Sequence, residues 1–334
     1  MPVVSVGDMA RQFTSMRNGS AIKTELGRLS QRMSSGKVDD ISAHLGGQTA
    51  RFSGINHSLS RLDNSLRAAT ETSQVLSSMQ TVLQRVDSVR AATSRQLLLV
   101  TPESLSSQVE EAATAARGSF DTIVSALNTQ LADRALMGGA AVNGPPLASA
   151  DDMLADLQAF IGGATTPGAI IAAIDVWFDD PAGGFATMGY LGDTGAPLEK
   201  RVTDDQSLRL DARADDPAIK STLKAAAIAA MANDMPGLTI DSRSVLLQDG
   251  GIRLFGAASG LVSVQERLGF VEESVDRATV EMTAQRTTLA ISSNELISAD
   301  PFDTASRLQA VQLQLETHYT VTARMSQLSL LGYI

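Results

Sequence analysis

The feature that most constrains the fold is a regular alternation of three- and four-residue steps between Leu261 and Leu296. Apolar side chains fill most of these positions, and small or amide side chains fill the rest. The positions are Leu261, Val264, Leu268, Val271, Val275, Ala278, Met282, Gln285, Leu289, Ser292 and Leu296. About five uninterrupted heptads predict a coiled-coil seam along one helix. At ~1.5 Å per residue that helix would be about 54 Å long, so we expect an elongated molecule in which other helices cover the seam.

A second stripe of the same kind lies in the N-terminal part of the chain. Its positions are Leu59, Leu62, Leu66, Ala69, Ser73, Leu76, Met79, Leu83 and Val86. Seven of the ten prolines lie between residues 145 and 236, and proline breaks a helix interior, so long helices are expected only towards the two ends. The predicted fold class is therefore mainly α: an elongated antiparallel coiled-coil or helical-bundle rod built from both chain ends, with a small mixed α/β domain inserted in the middle.

Composition divides the chain into three predicted parts. Residues 1–137 form the N-terminal half of the rod, with 1–40 as a terminal segment, and residues 216–334 form the C-terminal half, with a terminal helix at 300–334. Residues 138–215, where Gly, Pro and Asp pairs interrupt every pattern, form the inserted domain. Within it we predict helices at 151–161 and 169–178 and short strands at 190–191, 198–203 and 207–211.

Aspartates mark the predicted helix starts in the C-terminal part. A helix is expected from Asp216 to Asn233, and Asp241 is expected to cap the next one. At Asp300-Pro301 the sequence predicts a helix restart, with Asp300 at the N-cap and Pro301 at the first helical position. Proline is favoured there because the first amides of a helix have no intrahelical acceptor to lose.

Charge and composition exclude several classes of function. The net charge of −10 and the pI near 4.8 disfavour nucleic acid and anionic membrane as partners. Because the chain has no cysteine, it can form neither disulfides nor thiolate metal sites. The three histidines, His44, His57 and His318, lack metal-ligand spacing, and helix capping explains the paired aspartates. We therefore expect no enzyme activity, no catalytic or metal site and no cofactor.

The stretch "LSQRMSSGKVDD", residues 29–40, superficially resembles a phosphate-binding loop. A Walker motif needs a glycine where Gln31 stands and a Ser or Thr where Val38 stands, so this interpretation fails. Ser34, Ser35 and Gly36 are instead predicted to interrupt the helical seam and to act as a hinge.

Both ends of the chain also carry features that bear on its location and partners. The first residues include no apolar run of signal-peptide length, and no run in the chain is long enough to span a bilayer, so we expect neither a cleaved signal peptide nor a membrane anchor. The C-terminal residues are unusually apolar for a terminus exposed to solvent: Leu328, Leu330, Leu331, Tyr333 and Ile334. This pattern favours packing against another molecule.

Three stretches together resemble the flagellin superfamily and, within it, the hook-associated proteins that join a flagellar hook to its filament. They are "LSQRMSSGK" at 29–37, "LNTQLADRALMGGAAV" at 127–142 and "QLSLLGYI" at 327–334. The resemblance covers roughly residues 1–137 and 240–334. Two departures from typical flagellins, Val38-Asp39-Asp40-Ile41 after the Gly-Lys pair and the Gly-Tyr-Ile ending, favour a junction protein over a filament flagellin.

The resemblance implies a structural subunit of the bacterial flagellum. It would place two sets of residues at the pairing of terminal helices or at subunit contacts: Leu26, Leu29 and Met33 at the N-terminal end, and Leu308, Val311, Leu315, Met325, Leu328, Leu330, Leu331 and Ile334 at the C-terminal end. It also implies extracellular assembly into a ring or tube, contact with a neighbouring hook-associated protein and flagellin, and export through the flagellar type III route with a chaperone. A minor filament flagellin and, from another class, a soluble coiled-coil adaptor or signalling module remain alternatives.

Overall fold

The protein is mostly helical. The computed structural model describes residues 6–201, 203 and 207–331. The helices are α1 (Val6–Ser35), α2 (Ile41–Leu45), α3 (Thr49–Leu97), α4 (Ser106–Leu127), α5 (Ala150–Ile161), α6 (Pro167–Asp179), α7 (Pro217–Asp234), α8 (Ile240–Gly256), α9 (Ala258–Ile297) and α10 (Pro301–Leu331), with a short 3-10 helix at Gly46–Gln48 and a π-helical turn at Phe185–Gly189. Long helices with little sheet confirm the predicted mainly α class with a small mixed segment.

Two small antiparallel hairpins contain the strands of the described part of the chain. Strand β1 (Gln130–Leu131) pairs with β2 (Arg134–Ala135), and β3 (Leu198–Arg201) pairs with β4 (Ser207–Leu210). The second hairpin lies where two strands were predicted. A strand at 190–191 is not formed: Tyr190, directly after the π-helical turn that ends at Gly189, makes only an isolated bridge with Leu147.

The chain divides into two compact units. We call residues 1–63 with 283–334 the terminal unit and residues 64–282 the central unit. The boundaries predicted at 137/138 and 215/216 both fall inside the central unit, so the segment 138–215 belongs to a larger packed body. Helices α5 and α6 of that segment pack against α7.

Helix α7 lies at the centre of the central unit, between α4 and α8. Every residue from Ala225 to Ala232 is buried. A Cβ atom placed on Gly250 of α8 would lie 2.8 Å from the Cβ of Ala229, so the glycine is what lets the two helices approach. The alanines of α7 and this glycine therefore replace bulky apolar side chains with close backbone packing.

The predicted seam of α9 is buried through the central unit. Its buried positions there are Leu261, Val264, Leu268, Val275, Ala278 and Met282. Helix α3 contacts it, since Gln80 Nε2 donates a 2.9 Å hydrogen bond to the carbonyl of Gln265. The period read from the sequence therefore identified the covered face of α9 within the central unit. Beyond Met282 the prediction does not hold: Gln285 is exposed, Leu289, Ser292 and Leu296 are only partly buried, and the buried residues are Ser293 and Ile297.

Two of the three predicted N-cap residues cap a helix in the structure. Asp216 accepts a 2.9 Å hydrogen bond from Ala218 N, and Asp300 accepts one of 2.8 Å from Phe302 N. The cap predicted at Asp241 is wrong, because the Thr239 hydroxyl caps α8 by accepting from the backbone N–H of Ser242. Asp241 lies in the first turn instead, where its carboxylate still faces the positive end of the helix dipole.

An aromatic cluster fills the core under the segment 138–215. Trp177 is fully buried against Phe178 and Phe185, and its indole Nε1 donates a 2.7 Å hydrogen bond to the Asp156 carboxylate. A Cβ on Gly184 would collide with the indole ring, so the turn at 183–184 requires glycine there. This cluster holds α5, α6 and the π-helical turn together.

Arg213 joins the loop at 193–195 to the chain segment that precedes α7. Its Nη1 donates to the carbonyls of Asp193 and Gly195, and its Nε lies 3.0 Å from the Asp215 carboxylate. Burial raises the pKa of the Asp215 carboxyl above its ordinary value, although the Arg213 guanidinium opposes the rise. Asp215 is thus a partly buried acid whose ionisation weakens the folded state slightly.

Candidate assembly surface

Helices α1 and α10 of the terminal unit form an antiparallel pair. Ser15 Oγ lies 3.5 Å from Thr322 Oγ1, and one turn further along α1 the backbone of Gly19 faces His318. A Cβ on Gly19 would lie 2.8 Å from the His318 imidazole Nε2, so glycine makes room for the histidine at this crossing. Lys23 follows, with its Nζ 5.6 Å from the centroid of the ring of Tyr319.

The pair has very little core of its own. Among the described residues, Gly19 and Leu29 are the buried positions of α1, and Thr304 is the buried position of α10. Leu29 is only 1% exposed. The gain from apolar burial is therefore small for two helices of 30 and 31 residues, and most of their surface is left for solvent or for another chain.

Large apolar side chains are exposed along one face of α1. Met9, Phe13 and Met16 follow an i, i+4, i+7 spacing, which places them on the same side of the helix. Their exposed fractions are 61%, 73% and 63%. We call these three residues the α1 apolar face. Exposed apolar residues of this size on one face are typical of an interaction surface rather than of a solvated helix.

Helix α10 contributes exposed apolar residues as well: Phe302, Leu313, Tyr319, Val321 and Met325. A groove of about 760 Å³ lies between the two helices, with Ile22 on one wall and Leu313 and Val321 on the other. A second groove of about 430 Å³ includes Ala10 and Met325. Asn18 and His318 border both grooves, so the two lie side by side where α1 and α10 cross.

The predicted hinge lies at a backbone bridge. Helix α1 ends at Ser35, and Gly36 has φ +67°, a left-handed conformation that favours glycine. The N–H of Val38 donates to the carbonyl of Ile297 at 3.0 Å, and the N–H of Ala299 donates to the carbonyl of Gly36 at 2.8 Å. These bonds tie the end of α1 to the link between α9 and α10. We call residues 36–38 with 297–299 the joint.

A small apolar cluster supports the joint. Val38, Ile297 and Ala299 are buried together, and Ile41 and Phe52 pack against them. Ser34 and Ser35 cap the end of α1, since Ser34 Oγ donates to Gln31 O at 3.0 Å and Ser35 Oγ accepts from Lys37 N at 3.2 Å. The helix thus ends where the sequence predicted a break, and movement about that break stays a prediction.

The C-terminal part of the chain, which includes α9 and α10, matches a known family. Residues 255–334 match the bacterial flagellin C-terminal helical region. That region includes the whole of α9, with its buried seam, and the described part of α10, which forms one helix of the pair. The matched residues therefore include the α10 side of each α1–α10 contact described above.

Several solved structures are also similar to this chain, and one of them illustrates the likeness. A solved chain from Vibrio parahaemolyticus, provisionally named a flagellar hook-associated protein, has 12% sequence identity and a TM-score of 0.46, with 77% of this chain and 98% of that chain covered. No curated protein matches this sequence.

The structure distributes the predicted site residues over two environments. Leu29 is buried, and four others are partly buried: Leu26, Leu308, Val311 and Leu315. Met33 and Met325 are exposed. The structure describes the backbone of Leu328, Leu330 and Leu331 as part of α10 but does not describe their side chains. Ile334 lies outside the described residues. Their roles at subunit contacts stay predictions.

Sequence reasoning missed the α1 apolar face. Its signal is present in "MARQFTSM", where three large apolar residues recur at helical spacing. The pattern covers only two turns, so it is short beside the seam of α9.

No group of acidic or histidine side chains suited to a metal ion occurs in the described part of the chain, and none of its helices is long and apolar enough to cross a bilayer.

Proposed function

We propose that this protein is a structural subunit of the bacterial flagellum that joins the hook to the filament, in the manner of hook-associated protein 3. One observation carries the proposal. The segment that matches the flagellin C-terminal helical region includes α10, and α10 pairs with an N-terminal helix whose large apolar residues are exposed. A subunit that completes its core only in contact with its neighbours fits this arrangement.

The energetic argument rests on what the pair leaves uncovered. Burying a Met or Phe side chain contributes about 1.5–3 kcal/mol, so covering the α1 apolar face would gain several kcal/mol for each subunit. Helices of this kind obtain most of their stability from tertiary packing rather than from intrinsic propensity. Packing against neighbours is therefore the step that would stabilise α1 and α10.

Repetition of one such contact leads to a ring or tube. When each copy presents a surface that fits a different surface of the next, the rotation between copies produces a closed ring or an open helical array. In this proposal Leu26 and Leu29 pack against Leu308, Val311 and Leu315 within the pair. The side chains that reach neighbouring subunits are Met33, Met325, Leu328, Leu330, Leu331 and Ile334, together with the α1 apolar face.

The joint would allow the pair to adopt the angle that its neighbours require. Ser34, Ser35 and Gly36 serve as the hinge in this proposal, because the main interactions there are two backbone hydrogen bonds and a small apolar cluster. The neighbours are copies of this chain, another hook-associated protein and flagellin. Export unfolded through the flagellar type III channel belongs to the same proposal, with a chaperone covering the exposed apolar residues of α10 before assembly.

Truncation tests the role of the C-terminal tail. A chain that lacks residues 325–334 should still be secreted and should keep its folded central unit, because none of these residues belongs to that unit. We expect it not to support filaments in a strain that lacks the native gene. Secreted truncated protein in the medium serves as the control for export. Normal filaments on such cells would contradict the proposed role of the tail.

Imaging of a null strain separates the junction role from its alternatives. Retained hooks, missing filaments and flagellin shed into the medium are expected for a junction protein. Shortened filaments would instead indicate a minor filament flagellin. A protein that stays in the cytoplasm on fractionation, in cells with normal filaments, would indicate a coiled-coil adaptor and would overturn the proposal.

A further inference from the structure

The methionines of this protein are divided sharply between two environments. Four of those in the described part of the chain are exposed, and all four belong to the terminal helix pair: Met9, Met16 and Met33 on α1 and Met325 on α10. The methionines of the central unit are buried or partly buried. The buried ones, none more than 4% exposed, are Met79, Met137, Met153, Met231, Met235 and Met282, and Met188 is partly buried.

Exposure matters because methionine is the residue type of this chain whose sulfur can be oxidised, and an oxidant must reach that sulfur. There is no cysteine to consume an oxidant first. A peroxide transfers one oxygen atom to an accessible thioether: the O–O bond breaks, an S–O bond forms, sulfur loses two electrons and water is released. The product, a sulfoxide, is polar, and burying it in an apolar contact costs free energy that the thioether does not.

We propose that Met9, Met16, Met33 and Met325 form a modification site for hydrogen peroxide, and that their sulfoxides prevent the terminal helix pair from packing against neighbouring subunits. The oxidation site follows from exposure alone, whereas its effect on packing rests on the proposed function. Met9 and Met16 flank Phe13 on the α1 apolar face, and Met325 borders a groove between the helices, so at these three positions the oxygen would be added where apolar contact is needed.

The same geometry makes the site dependent on assembly. In a free subunit the four thioethers are open to solvent, and in an assembled one they would be covered. Oxidation would therefore act on subunits before they assemble, and a finished assembly would resist it. The central unit should stay folded throughout, because its buried methionines are shielded from the oxidant.

Peptide mapping of the full-length chain after a limited peroxide pulse tests the site itself. The four exposed methionines should gain oxygen at least roughly fivefold faster than Met79, Met153 and Met231. Met188, in the central unit, should react at an intermediate rate. Equal rates at exposed and buried positions would overturn the assignment.

Sedimentation velocity of the same samples tests the consequence. Peroxide treatment should weaken self-association by roughly tenfold or more, and reduction by methionine sulfoxide reductases of both stereospecificities should restore it. A chain with all four residues changed to leucine should give the same association with and without peroxide, whereas Met188→Leu should remain as sensitive as the native chain.

The outcomes separate this inference from the proposed function. If the oxidised native chain associates as strongly as the untreated one, the inference is wrong even when the untreated chain assembles. If the untreated chain does not self-associate, the proposed assembly role fails, and the peptide map still decides whether the four methionines are the oxidation site. Oxidation of those four at unchanged rates inside preformed assemblies would also overturn the assembly dependence.

Discussion

Helices α7 and α1 are both long and regular, but α7 is largely buried in the central unit whereas most residues of α1 are exposed. Helix α7 has 18 residues, and its middle, Ala225 to Ala232, is buried without interruption. Helix α1 has 30 residues, of which Gly19 and Leu29 are the buried ones in its described part. Helix formation therefore says little about stability by itself. The central unit carries its own core, whereas the terminal pair has few buried residues and leaves large apolar side chains exposed.

The largest effect is expected from opening the core of the central unit. Trp177→Ala should lower the free energy of unfolding by about 3–5 kcal/mol, because a fully buried indole and its hydrogen bond to Asp156 are lost. Urea denaturation followed by circular dichroism measures this. Val176→Ala, at a neighbouring position that is 49% exposed, is the matched control and should change stability by less than about 0.5 kcal/mol. Similar losses for both variants would contradict the aromatic cluster as a core.

A large apolar residue of the terminal pair should behave in the opposite way. Phe13→Ala should leave the unfolding free energy within about 0.5 kcal/mol, because the ring is 73% exposed. It should weaken self-association by roughly tenfold or more, since aromatic residues dominate interface energies. Phe255→Ala in the central unit, with the ring 70% exposed, is the control and should keep normal association. Unchanged association for Phe13→Ala would remove the α1 apolar face from the proposed interface.

Two glycines within helices sharpen the comparison. Gly250→Ala should destabilise the central unit by about 1–3 kcal/mol, because the new Cβ would overlap Ala229. Gly27→Ala in α1 meets no atom within 4 Å and should instead stabilise the helix by about 0.5–1 kcal/mol. Thermal unfolding and helical circular dichroism report the two effects. The comparison fails if both substitutions act in the same direction.

The joint should respond on a scale of about 1–2 kcal/mol. Gly36→Ala forces a Cβ into a left-handed conformation, which penalises the turn and loosens the bridge to the link between α9 and α10. Hydrogen exchange at the amides of Val38 and Ala299 should become faster, while exchange in α7 stays unchanged. Gly27→Ala provides the control outside the joint. Slow exchange at both amides in the variant would show that the turn tolerates the strain.

The smallest effect concerns pH and the central unit alone. Because the folded pKa of the Asp215 carboxyl lies above its unfolded value, the folded state binds the proton first as pH falls. As pH falls from neutral towards the ordinary aspartate range, the free energy of unfolding of the native chain should therefore gain a small favourable contribution. Asp215→Asn should lack this contribution in a pH series of urea denaturation curves. A contribution of the opposite sign would mean that the Arg213 ion pair outweighs burial.

Several elements were predictable because their signals are local. The period of α9 identified its buried face as far as Met282, and Asp216 and Asp300 marked two helix starts through side-chain caps that act within a few residues. The break at Ser34 to Gly36 was predictable for the same reason, since glycine tolerates a conformation that ends a helix. Interface roles for Leu26 or Leu315 were not testable in this way, because they depend on which other helices are present.

Other elements depended on contacts that no local pattern reports. The turn of the β1–β2 hairpin places Ala132 and Asp133 at positive φ without any glycine, so its sequence gives only a weak turn signal. Thr239 rather than Asp241 caps α8, a shift of two residues that local preference alone does not decide. The packing of Gly250 on Ala229 also requires knowing that α7 and α8 are neighbours.

The sequence by itself determined where much of the chain is helical and where several helices begin and end, because these properties depend on side-chain spacing and on residue types within one or two turns. The absence of cysteine likewise excluded disulfides and thiolate metal sites. Only the tertiary structure decided which helices acquire a core. The burial of α7 and the exposure of Met9, Phe13 and Met16 follow from packing between segments that are distant in sequence, and the free energy of that packing belongs to pairs of surfaces rather than to any one of them.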